Sequence, residues 1–115
     1  MILERGDKLL VAHRRLYEGD AARYFLGTVL DYHGEIAKVE GYSWAVETFS
    51  GTIVRKEGLR RKLIALASGT HIIYDLDRDV DMDSAEFQVN ARGRVLLRDA
   101  GTFSLDLTEP VRPAL

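Results

Sequence analysis

The chain has 115 residues and a mass of 13.0 kDa, enough for one domain with one core and too short for two. Hydrophobic residues at 46% and charged residues at 30% exclude disorder, collagen-like repeats and a long coiled coil, while a net charge of −2 argues against wholesale binding of nucleic acid. The absence of cysteine removes disulfides, thiolate catalysis, iron–sulfur clusters and cysteine-ligated zinc, and favours a reducing compartment.

At the N-terminus, Glu4, Arg5, Asp7 and Lys8 interrupt the stretch where a secretory leader needs about 7–15 apolar residues. The apolar run Leu63–Ala67 is far short of the roughly 18 residues of a membrane span. A cytoplasmic chain without membrane contact is therefore expected. Glycines at 19, 27, 34, 41, 51, 58 and 69 then punctuate the sequence at strand-and-turn spacing. They divide it into expected strands at Lys8–Tyr17, Arg23–Tyr32, Glu35–Gly41, Tyr42–Phe49 and Thr52–Lys56. Arg23–Tyr32 is apolar on both faces, as a strand covered on both sides or one with an outer contact would be. Such an outer contact fits a protein partner or a homodimer. Tyr42, Trp44 and Val46 share one strand face, and with Tyr24 they offer an aromatic wall for a small-molecule ligand in a barrel lumen, or simply for a core.

Further on, Leu59–Ala67 reads as a strand, although Leu59, Leu63, Leu66 and Ala67 also recur at helical spacing with Gly69 placed to end a helix. Its approach is basic: Arg55, Lys56, Arg60, Arg61 and Lys62 oppose only Glu57, which makes a hairpin tip able to hold a phosphate or an acidic partner, or a solvated turn. Thr70–Leu76 follows as the next strand. After it the charge reverses, with aspartate at every odd position from 75 to 83. In a twelve-residue calcium loop, Asp75, Asp77, Asp79, Asp83 and Glu86 would stand at positions one, three, five, nine and twelve, the ligand spacing for Ca2+ or Mg2+. Position six, however, is Val80 where the sharp turn needs glycine, and the flanks read as strands rather than helices. An acidic loop or a charged sheet edge that resists pairing is the competing reading.

Ala85–Ala91, Arg94–Arg98 and Thr102–Leu107 complete the strands; Phe87–Ala91 and Phe103–Leu107 alternate apolar and polar with period two. His13, His33 and His71 show no spacing that preforms a metal face, and whether folding gathers them cannot be read from their positions. The phosphate-loop, nucleophile-elbow, dinucleotide and zinc-protease motifs are missing. The expectation is an all-β fold, a small antiparallel barrel or flattened sandwich of about 8–10 short strands joined by tight hairpins. It occupies residues 1–108 as a single domain, with an irregular tail over 109–115 that holds both prolines. The expected function is a non-enzymatic binding or assembly domain acting through protein–protein contact, without cofactor. A small-ligand barrel of lipocalin-like architecture and a metal-dependent enzyme or calcium-stabilised module are the alternatives.

Overall fold

The computed structural model describes residues 2–14, 21–47 and 49–108. The expected tail 109–115 and the end of the first expected strand lie outside them. Nine strands run through the described residues, with no helix: β1 (Lys8–His13), β2 (Arg23–His33), β3 (Ile36–Val46), β4 (Ile53–Arg55), β5 (Arg60–Ala65), β6 (His71–Leu76), β7 (Glu86–Val89), β8 (Val95–Arg98) and β9 (Ser104–Asp106). All pairing is antiparallel. The larger sheet has the order β4-β3-β2-β1-β6, with β5 also on β3, and the smaller is the meander β7-β8-β9.

The two 11-residue strands β2 and β3 form the spine, joined by a tight turn in which Gly34 takes φ 58°, open to glycine at no steric cost. Two strands were expected across 35–49, with a turn at Gly41; one continuous strand is found. Gly41 lies directly opposite Gly27 in the register of β2 and β3. A Cβ on Gly27 would lie 2.6 Å from the Glu40 carbonyl oxygen, and one on Gly41 would overlap the Leu26 carbonyl oxygen. Here glycine serves close backbone approach rather than chain reversal. A register shift between Val29 and Asp31 bends the far end of the same hairpin. β3 is long enough to hold two partners along one edge, β5 beside Ile36–Gly41 and β4 beside Trp44–Val46. The helical spacing over Leu59–Ala67 is not realised. β5 is a strand, since β3 supplies its backbone hydrogen bonds and Ile64 is buried between exposed Leu63 and Ala65 with period two.

Period-two alternation sorts the larger sheet into two apolar faces. On one, Leu10, Leu26, Trp44, Ile53 and Leu76 pack against Phe87 and Leu97 of the smaller sheet and against Val80 and Ala85 of the connection between the sheets. The other face carries Leu9, Val11, Phe25, Val29, Ala37, Val39 and Ile64, all buried, with Leu66 and Ile73 at its margin. Side chains from β5 and β6, at opposite edges of the sheet, join this one cluster, so the sheet curls around it as a half-barrel. Each such side chain removed from water contributes about 1.5–3 kcal/mol, the reason a face with no second layer bends over itself. β5 and β6 do not pair, and the sheet stays open. The architecture is therefore the sandwich form of the expectation and not the closed barrel.

Candidate functional site

The acidic run folds into the connection between the sheets with its alternation intact. Val80 and Ala85 are buried and Met82 is half-buried, while Asp77, Asp79, Asp81 and Asp83 are exposed. Asp77 and Asp79 line a broad depression of about 700 Å3 with Asp81, Asp99 and the β8–β9 turn. Asp99 is the staple of this region: its carboxylate accepts N–H bonds from Asp81 at 3.0 Å, Gly101 at 2.9 Å and Phe103 at 3.2 Å. The Asp81 amide above all, with those of Gly101 and Phe103, holds the Asp99 carboxyl below the usual carboxylate range against a weaker desolvation effect. Ser84 ties the same turn by accepting the Ala100 N–H at 2.9 Å. Arg78 leaves its acidic neighbours and reaches Asp7 at 2.9 Å and Glu4 at 3.2 Å.

The five candidate ion ligands do not share one surface. Asp75 stands at a hollow of about 300 Å3 beside Leu3, Leu9 and Ile73, Asp77 and Asp79 face the depression, Asp83 faces a separate cleft, and Glu86 accepts a hydrogen bond from Gln88 at 3.1 Å. Among the described residues, no three histidine or acidic side chains lie close enough together to hold a metal ion.

Alternation also divides the basic run. Arg55 lies over the Tyr42 ring at 4.4 Å, and Arg61 pairs with Glu40 at 2.9 Å, both on the sandwich side of the larger sheet. Arg60 and Lys62 belong to the concave side, where the Lys62 ammonium stands 4.8 Å from the Phe25 ring centre. The Lys56 amide donates to the Ser43 carbonyl at 2.8 Å, fixing the turn between β4 and β5. Burial, then the neighbouring charges of Lys56, Arg60 and Arg23, push the Lys62 ammonium below its ordinary pKa. The two charged segments meet at a cleft of about 160 Å3, which Arg55 and Asp83 line together with Tyr42, Trp44 and Leu59.

The aromatic residues meet between the sheets. Tyr24 stacks on Phe87 at 4.6 Å, and Trp44 meets the same ring edge-on at 5.1 Å. Of the three expected ligand-facing aromatics, Tyr42 and Trp44 line the cleft and Tyr24 does not.

Two groupings arise only from strand pairing. At the turn end of the spine, Ile36 and Leu63 line a shallow hollow of about 150 Å3 with Asp31, Tyr32, His33 and Lys38. Leu63 is 70% and Ile36 is 49% exposed, because the smaller sheet does not extend over them. At the other end, β1–β6 pairing sets His13 opposite His71 with ring centres 4.8 Å apart, while His33 stays in the first hollow. Burial first, then the charges of His71, Arg23 and Lys62, push the His13 pKa down. No sequence signal marks either grouping, since both depend on which strands are neighbours. Compared with protein-family models, curated proteins and solved structures, the chain matches none.

Proposed function

We propose that this chain is a non-enzymatic binding domain that works by protein–protein contact, its partner a second copy of itself. The observation that carries this reading is the hollow at Ile36 and Leu63, two large aliphatic side chains that are diagonal neighbours across the β3–β5 pairing and open to water. Single exposed aliphatic residues are ordinary, but adjoining ones rimmed by polar groups mark interaction surfaces. The rim suits a two-fold contact: Asp31 and Lys38 are register partners of opposite sign, so rotation about an axis through the hollow sets the lysine of one copy against the aspartate of the other. Alongside lies the outer edge of β5, which has no partner strand among the described residues.

Native mass spectrometry with light scattering tests the reading. The wild-type chain is expected to be a dimer at micromolar concentration, and Leu63→Glu to be a monomer with an unchanged circular dichroism spectrum, since Leu63 contributes little to the core. A wild-type monomer, or a dimer indifferent to Leu63→Glu and Ile36→Glu, would overturn it. A mass increment removed by a chelator would instead redirect attention to the acidic segment.

A further inference from the structure

Four basic side chains from four strands converge on the concave face, His13, Arg23 and His71 from its far end and Lys62 from beside Val39, with its ammonium reaching over Phe25. His13 follows Leu9 and Val11 on β1, Arg23 precedes Phe25 on β2, Lys62 precedes Ile64 on β5 and His71 precedes Ile73 on β6, each two residues from a buried member or margin of the concave cluster. His13 and His71 touch edge to face at 4.8 Å, and Lys62 leans over Phe25, the register partner of Val11. The charges of His71, Arg23 and Lys62 act on His13, and Lys62 in turn feels Lys56, Arg60 and then Arg23.

Among the described residues, no acid pairs with this group, although Arg5, Arg61, Arg78 and Arg94 all form ion pairs. The carboxylate of the concave face nearest in register along β6 is Asp75, which stands opposite Leu9, four register pairs along from His13 and two beyond Val11. His71 Nδ1 is buried and has no hydrogen-bond partner. Gathering like charge on a half-buried surface disfavours the fold, and buried polar atoms are normally paired. An anion supplies both the missing charge and the missing partner.

We propose that His13, Arg23, Lys62 and His71 form a binding site for a phosphate group. Arg23 and Lys62 provide two permanent positive charges, matching a dianion, and the guanidinium fork suits two oxygens of one tetrahedral group. The imidazoles add N–H donors without requiring further charge. This site and the hollow at Ile36 and Leu63 lie on opposite faces of the larger sheet, since Lys62 and Leu63 are successive residues of β5, and the site does not depend on dimerisation.

Imidazole NMR resonances followed during titration with sodium phosphate at constant ionic strength test the proposal. His13 and His71 are expected to shift along one saturating isotherm while His33 stays still, and Arg23→Gln or Lys62→Gln to weaken binding about tenfold or more. Arg61→Gln, on the other face and paired with Glu40, should leave the affinity unchanged. Both substituted side chains of the site keep exposed or half-exposed positions, so the variants are expected to fold, and amide dispersion verifies it. Shifts reproduced by sodium chloride alone, isotherms unaffected by Arg23→Gln and Lys62→Gln, or equal weakening by Arg61→Gln would each overturn the site. Phenyl phosphate provides the second arm: tighter binding than inorganic phosphate assigns the site to a phosphate carried on a larger molecule, weaker binding to the free ion.

Discussion

The acidic run at 75–86 and the basic run at 55–62 look alike as sequence, each a short segment of one sign with an isolated opposite charge, yet folding uses them differently. In the acidic segment the apolar even positions point inward and the backbone is held by side-chain acceptors: Asp99 takes three amides, Asp81 takes the Asp83 amide at 3.1 Å, and Arg78 is drawn off to Glu4 and Asp7. Its charges decorate a connection that covers the inter-sheet core. In the basic segment, pairing with β3 sends Arg55 and Arg61 to one face, where Tyr42 and Glu40 receive them, and leaves Lys62 on the other with cations for neighbours. Charge density alone therefore does not mark a site; whether local partners satisfy the charge does.

The sharpest way to break this contrast is to remove the anchor beneath the acidic connection. Phe87, buried against Tyr24 and Trp44, should cost about 3–5 kcal/mol when changed to alanine, measured by urea denaturation, whereas Asp77→Asn should leave the midpoint almost unmoved. Comparable losses from the two would show that the aspartates themselves hold the segment.

An intermediate effect is expected on acidification. The Asp99 and Asp7 carboxyls sit below the usual range in the folded protein, Asp99 first through the Asp81 amide and Asp7 first through the Glu4 amide. A group whose pKa falls on folding adds stability above its unfolded value and loses it as pH drops through the folded one. The Tm should thus slope gently downward below about pH 6.5, where the depressed His13 pKa disfavours the fold, and decline more steeply below about pH 4, with Asp99→Asn both lowering the neutral-pH Tm and flattening the steep decline. An unchanged acid limb in that variant would remove Asp99 as its source.

The smallest effect belongs to the basic side. Lys62→Met relieves repulsion from Lys56, Arg60 and Arg23 and keeps the aliphatic cover on Phe25, so the unliganded protein should gain a few tenths of a kcal/mol, and the gain should shrink in high salt. A clear loss would mean that Lys62 has a stabilising partner instead.

Much of the fold was legible because strands carry their own signature. Alternation in Phe103–Leu107 and the doubly apolar run in β2 are local properties, and each survives as packing on one face or on both, whereas of Phe87–Ala91 only Phe87 is buried, with Val89 exposed where β7 ends. Elsewhere a local cue has two meanings. Gly41 suits a turn as well as a close approach, and only Gly27 opposite it decides for the latter. Leu59, Leu63 and Leu66 suit a helix as well as a strand, and only the free edge of β3 decides. The candidate sites were less legible still. The basic run contributed Lys62, but His13, Arg23 and His71 come from three other strands, separated in sequence by up to 58 residues between His13 and His71.

By itself, the sequence determined the all-β class, the positions of most strands and the absence of cysteine chemistry, because composition, period-two alternation and turn residues act over a few residues. Only the tertiary structure decided that the larger sheet curls without closing, that the basic run divides between two faces, and that His13 meets His71. Those outcomes depend on strand order and register, which set chain-distant side chains beside one another and which no short stretch of sequence contains.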